Sequence, residues 1–113
     1  MKINSVLLLT FAACSAAAGQ LLFKVGATES QRLLDYINAP IFSGLILYGI
    51  GTAIWIYALS SEMLVNVYAF TALTFVLVYI GGIFLLNETI SQVGALGILL
   101  VLSGLYLITV HGN

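Results

Sequence analysis

The chain divides into four continuous apolar runs separated by three polar breaks, and that pattern leaves few folds open to it. The runs are Ile3–Gly26, Ile41–Leu59, Leu64–Leu86 and Val93–Val110. Each approaches the ~20 apolar residues a helix needs to cross a hydrocarbon core. Their apolar character is unbroken rather than alternating with period two, which favours helices over a β-barrel. A helix also satisfies its own backbone polar groups in lipid. Charge agrees: three Lys and Arg and four Asp and Glu, 6% of 113 residues, cannot keep a soluble domain's surface wet. The expected fold is an all-α membrane protein, one four-transmembrane-helix bundle over residues 1–113.

The breaks set the order of the helices. Ala27–Ala39 carries Glu29, Arg32 and Asp35 among Leu33, Leu34, Tyr36 and Ile37, and is expected at the membrane interface with its apolar side down. Pro40 suits the first turn of the second helix, where a missing N–H costs nothing. Ser60-Ser61-Glu62 and Asn87-Glu88-Thr89 are short enough to make successive helices antiparallel neighbours. In these links Ser or Asn can cap the next helix, with Glu62 and Glu88 near its positive dipole end. Lys2 stands on one side of the membrane, Lys24 and Arg32 on the other, almost without bias in orientation. An antiparallel pair of small subunits has that balance. Lys2, Val6–Ala13 and the small residues after Cys14 imitate a signal peptide, but the apolar run continues through Phe23, so cleavage is not expected.

Polar groups inside the spans are costly, so their faces are informative. Ala13, Ala17, Gln20 and Lys24 form one stripe on the first helix, with Gln20 and Lys24 a turn apart, about 6 Å along the axis. Two readings stand: Lys24 snorkels to the headgroups while Gln20 bonds a neighbouring helix, or both face an anionic substrate. Gly44, Tyr48, Gly51, Thr52 and Trp55 share a face of the second helix. Tyr68, Thr71, Phe75 and Val78 share one on the third, with Thr74 beside them. These faces suit either ordinary packing or a cavity, for which Tyr68 is the favoured lining residue. On the fourth helix Gly97 and Gly104, with Ser103 adjacent and Gly94 a turn earlier, mark close helix contact, within the chain or in a dimer interface. Cys14 is the single cysteine and His111 the single histidine, so no disulfide or metal cluster is expected. With no nucleophile–base pair or phosphate loop, and almost no extramembrane chain, neither enzyme activity, a cofactor nor nucleic-acid binding is expected.

These residues resemble the drug/metabolite transporter superfamily (EamA-like), in its four-helix small multidrug resistance-like branch. The resemblance covers essentially the whole chain. It rests on Gly19-Gln20-Leu21-Leu22-Phe23-Lys24, Ala58-Leu59-Ser60, Tyr68 with Leu73-Thr74-Phe75-Val76, Asn87-Glu88-Thr89-Ile90-Ser91, and Gly97 through Gly104. Small multidrug exporters carry a proton-exchanging glutamate in helix one; counting back from Gly19 and Lys24 puts that position at Ala16, which cannot titrate. The Gly-Gln…Lys ending and the Asn-Glu-x-x-Ser turn look more like the small subunits of the aminoarabinose–undecaprenyl-phosphate flippase. Two prolines expected in that family near the start of helix three are replaced by Met63 and Ala69.

The resemblance implies a transporter subunit of the bacterial inner membrane that flips a polyprenyl-phosphate-linked aminosugar as a homodimer or with a sister subunit. It implies Lys24 at the lipid phosphate, and Gln20, Trp55, Tyr68, Thr71, Thr74 and Glu88 toward the substrate, with Gly97, Ser103 and Gly104 between subunits. The alternative is export of small cationic or polar compounds, with Glu62 or Glu88 in place of the missing glutamate.

Overall fold

The computed structural model describes residues 2–28 and 30–111. Its secondary structure is entirely helical among the described residues: α1 Ile3–Thr28, a short 3-10 turn Leu33–Tyr36, α2 Ala39–Leu59, α3 Leu64–Leu85 and α4 Gln92–His111. At ~1.5 Å per residue even α4, with 20 residues, reaches about 30 Å. Helices α1 to α3 are long and apolar enough to cross a membrane, while the apolar stretch described in α4, Gln92–Ile108, is shorter.

The first break is folded by hydrogen bonds. Asn38 caps α2, its Oδ1 accepting from the Ile41 amide at 3.0 Å, and Pro40 lies in the first turn. The Asn38 Nδ2 donates back to the Gly26 and Asp35 carbonyls at 3.0 and 2.8 Å, so one side chain joins the end of α1, the link and the start of α2. The Asp35 carboxylate accepts from the Arg32 and Gln31 amides at 3.0 and 3.2 Å. Those bonds favour its charged form and hold its carboxyl below the ordinary value. Leu33, Leu34 and Ile37 stand outward beside these charges, 90%, 76% and 81% exposed. At the third break Asn87 adopts the left-handed conformation, φ 58°, that turns the chain out of α3. Ser91 then caps α4 by accepting from the Gly94 amide at 3.0 Å.

Helices α1 and α2 run antiparallel with their backbones almost touching. A Cβ on Gly44 would lie 2.7 Å from the Gly19 carbonyl oxygen, and one on Gly51 would lie 2.8 Å from that of Ala12. Between these points the Ser15 hydroxyl donates to the Leu47 carbonyl at 2.6 Å. Lipid supplies no hydrophobic drive for helices to associate, so small residues and interhelical hydrogen bonds must do it. Helix α3 packs on this pair through a knot of Leu9, Ala58, Val67 and Phe70, with Val6, Trp55, Leu59 and Leu73 around it. The knot lies toward the end of the helices that carries the chain's start and the α2–α3 link.

Helix α4 packs chiefly on α3, and none of its described residues is buried. The chain is therefore a slab, 47 × 36 × 18 Å, rather than a closed four-helix cylinder. A Cβ on Gly97 or Gly104 would meet nothing within 4 Å, so these glycines make no close helix contact within the chain.

The seam predicts opposite outcomes for two glycines on α2. Gly44→Ala pushes a methyl into the α1 backbone and should destabilise the fold by about 1–3 kcal/mol. Gly49, whose Cβ would meet nothing within 4 Å, should accept alanine with a change within about 1 kcal/mol, toward stability. Unfolding by SDS in mixed micelles, followed by circular dichroism, measures both.

Candidate functional site

Above the apolar knot, where α1, α2 and α3 begin to part, lies a cavity of about 330 Å³. Helix α1 lines it with Leu9, Ala12, Ala13, Ala16 and Gln20, α2 with Tyr48, Gly51, Thr52 and Trp55, and α3 with Phe70, Thr71 and Thr74. These positions fall in the central parts of their spans, so the cavity sits at membrane depth. The knot residues Leu9, Trp55 and Phe70 form its floor, and Gln20 lies about three turns further along α1.

Helical geometry divides the polar groups of this cavity into two kinds. The Thr52 hydroxyl donates to the Tyr48 carbonyl at 3.0 Å and the Thr74 hydroxyl to that of Phe70 at 3.3 Å, each one turn back on its own helix. Such bonds use the proton and leave lone pairs free. Gln20, Tyr48, Trp55 and Thr71 make no side-chain hydrogen bond to a described residue. An amide, a phenol, an indole and a hydroxyl thus remain available to a guest within an otherwise apolar wall. No charged side chain among the described residues lines the cavity. Ala16, at the position where drug exporters are expected to carry glutamate, lies in its wall as a bare methyl.

Of the seven residues the sequence puts forward for substrate, the fold brings Gln20, Trp55, Thr71 and Thr74 together here. Lys24 is exposed, one turn beyond Gln20 on the same stripe, outside the cavity wall and without an ion pair to a described residue. Tyr68 is 61% exposed and does not line the cavity; α3 turns it outward. Tyr48 takes the place expected of it. Its signal was the shared α2 face with Gly51, Thr52 and Trp55, and its ring also lies 6.0 Å from that of Phe23.

Glu88 stands apart, in a smaller cavity of about 140 Å³ with Val78, Tyr79, Ile83, Thr89 and Ile90. Its carboxylate folds back over α3, so that a Cβ on Gly82 would lie 2.7 Å from its Oε1. Glu62 is not the cap of α3, which begins at Leu64 with Met63 as its N-cap and no side-chain cap bond. Glu62 instead receives the Ser5 hydroxyl and the Lys2 amide, the latter at 3.4 Å, tying the start of α1 to the α2–α3 link. Cys14 is free and exposed on α1. Gly97, Ser103 and Gly104 lie on α4, remote from the cavity wall, and the Ser103 hydroxyl donates to the Leu99 carbonyl at 2.8 Å.

With this geometry in view, the chain can be set against known proteins. No family model matches it, and no solved structure does. It is 34% identical over 90 residues to the probable 4-amino-4-deoxy-L-arabinose-phosphoundecaprenol flippase subunit ArnF of Shewanella sediminis. The match covers 75% of this chain and 62% of that relative, so the chain spans about three fifths of the relative's length. Four apolar helices accompany this similarity to a protein named as a flippase subunit. The protein is a multi-pass protein of the bacterial inner membrane.

The Glu62 tether gives a pH test outside the spans. The Ser5 hydroxyl, and to a lesser degree the Lys2 amide and charge, hold its carboxyl below its ordinary value of 4.5, against some desolvation. On acidification the unfolded chain takes up this proton first, so the contribution is present above pH 4.5 and fades as pH falls through the lower, folded value. Thermal melts should show wild type more stable than Glu62→Gln at neutral pH, with the gap closing in acid.

Proposed function

We propose that this chain is one subunit of a transporter that moves a polyprenyl-phosphate-linked sugar across the bacterial inner membrane. The observation that carries the reading is the mid-span cavity, with four unengaged polar side chains inside it and the Lys24 ammonium one turn beyond. A lipid-linked sugar has a matching order of parts. A polar ring adjoins an anionic phosphate, and an apolar chain remains in the lipid. Gln20, Tyr48, Trp55 and Thr71 meet the ring, Lys24 meets the phosphate, and the polyprenyl tail lies along the exposed apolar flank. The similarity to a protein named as a flippase subunit for a phosphoundecaprenol-linked sugar supports the same reading.

The slab shape supports a second subunit. A chain 18 Å thick in one direction cannot enclose a route for a sugar headgroup by itself. A partner four-helix chain, a second copy or a sister subunit, closes the cavity, with Gly97, Ser103 and Gly104 of α4 at the seam. Rocking of the two subunits about that seam then exposes the site to one face and the other. Export of cationic compounds has less support, because Glu62 and Glu88 both lie outside the main cavity and Ala16 supplies no acid within it.

The test is transport of a fluorescent short-chain prenyl-phosphate sugar in proteoliposomes, read by its accessibility to a membrane-impermeant quencher. Lys24→Glu sets a carboxylate against the phosphate and should slow transport by about tenfold or more, whereas Lys24→Arg should retain most of it. Full activity in Lys24→Glu refutes the phosphate role.

A further inference from the structure

We propose that the smaller cavity at the α3–α4 link is a site for a primary ammonium carried on a lipid headgroup. The site is separate from the mid-span cavity, so the proposal goes beyond the transport reading and does not depend on it.

Three groups that attract a cation meet there. The Glu88 carboxylate lies over the last turn of α3, where a Cβ on Gly82 would stand 2.7 Å from its Oε1. That turn is the negative end of the helix dipole, and it carries no basic side chain. The fold thus sets a carboxylate against a negative helix end, and no described residue bonds or pairs with the carboxylate. The backbone holds this arrangement in place. Asn87, at φ 58°, turns the chain back, and the Glu88 amide donates to the Gly82 carbonyl at 3.0 Å. Tyr79 lines the same cavity, its ring packed at 4.8 Å against that of Phe75, and an aromatic face attracts ammonium groups. The Thr89 hydroxyl adds an oxygen able to accept from an N–H.

Size and depth select the carrier. A cavity of about 140 Å³ admits one end of a headgroup, and Val78, Ile83 and Ile90 accommodate the carbon beside the ammonium. On α1, Leu21 packs against Gly81, the neighbour of Gly82. Lys24 lies three residues further along, about 4.5 Å nearer the same membrane face. Glu88 and Lys24 therefore stand near one face, one suited to a cation and the other to an anion. A headgroup that joins an ammonium to a phosphate presents both charges at that depth. Such a lipid is either a bulk aminophospholipid or the transported lipid with an amine on its sugar.

Native mass spectrometry of the purified protein, released from detergent, tests this with two pairs of short-chain lipids. One pair is dioctanoyl phosphatidylethanolamine and the same lipid with a hydroxyl in place of its amine. The other is a two-isoprene prenyl phosphate carrying a pentose, with and without one hydroxyl replaced by an amine. Within a pair the amine lipid should bind at about fivefold lower concentration. Preference in the first pair alone assigns the site to a resident membrane lipid, and in the second alone to the transported lipid. Preference in both makes it an ammonium site indifferent to its carrier. Glu88→Gln should abolish the preference while the hydroxyl lipids bind as before, which also shows that the variant is folded. Tyr79→Leu should weaken the preference about twofold, and Glu62→Gln, in the other link, should leave it unchanged. No amine preference in either pair, or one that survives Glu88→Gln, overturns the proposal. Either result leaves the transport reading in place, since that is decided by Lys24→Glu.

Discussion

Everything else in this molecule depends on how closely α1 and α2 approach. In lipid the apolar surfaces of two helices gain nothing by leaving their solvent, so association must come from contact and hydrogen bonding. Gly19, Gly44 and Gly51 let one backbone rest against the other, and the Ser15 hydroxyl bonds the Leu47 carbonyl across the gap. This pair is the rigid wall of the protein. Once it is fixed, Gln20 and Trp55 are held facing the same space from opposite helices. The third helix then needs only to lean on the pair at one end.

That lean produces the cavity. Leu9, Ala58, Val67 and Phe70 clamp α3 to the pair toward one side of the membrane. Further along, α3 returns to α1 at Gly81, against the Leu21 side chain. Between these two contacts the wall of α1 is built from Ala12, Ala13 and Ala16, whose methyls leave the space unfilled. The void is thus a consequence of small residues placed between two points of firm packing. The same alanines that close the α1–α2 seam leave room on their other side for a guest.

Much of this was legible in the sequence. Four unbroken apolar runs admit little besides four helices, and the cost of polar groups in lipid points to Gln20, Trp55, Thr71 and Thr74, which the fold sets around one cavity. Other features were hidden for physical reasons. A span that is apolar all round has no strong periodicity to say which side faces inward, so the outward turn of Tyr68 on α3 could not be read. Glycines look alike in a sequence. Gly97 and Gly104 carry the pattern of a close contact, yet the close contacts within the chain fall on Gly19, Gly44 and Gly51, because only the pairing of helices decides which glycine meets a backbone. The folding of Glu88 over Gly82 depends on the left-handed turn at Asn87, which local composition permits but does not dictate.

The distribution of charge completes the argument about what such a fold can carry. A membrane cavity that exchanges protons for cations needs a titratable acid inside it, shielded enough to feel its guest. Here Asp35 and Glu62 lie in the links, occupied with local bonds, Glu88 lies in the separate smaller cavity, and the wall position expected to hold an acid is Ala16. Lys24, exposed and without an ion pair to a described residue, stands on the same stripe as Gln20, toward the link that Asn38 and Asp35 hold together. A guest drawn into this arrangement is oriented by its own charge. On the proposed reading its anionic part meets Lys24 near the headgroups and its polar ring meets the cavity beyond. That ordering gives an open slab of three packed helices and an attached fourth a direction, which is why the proposed guest is a lipid carrying a polar head through an anionic bridge.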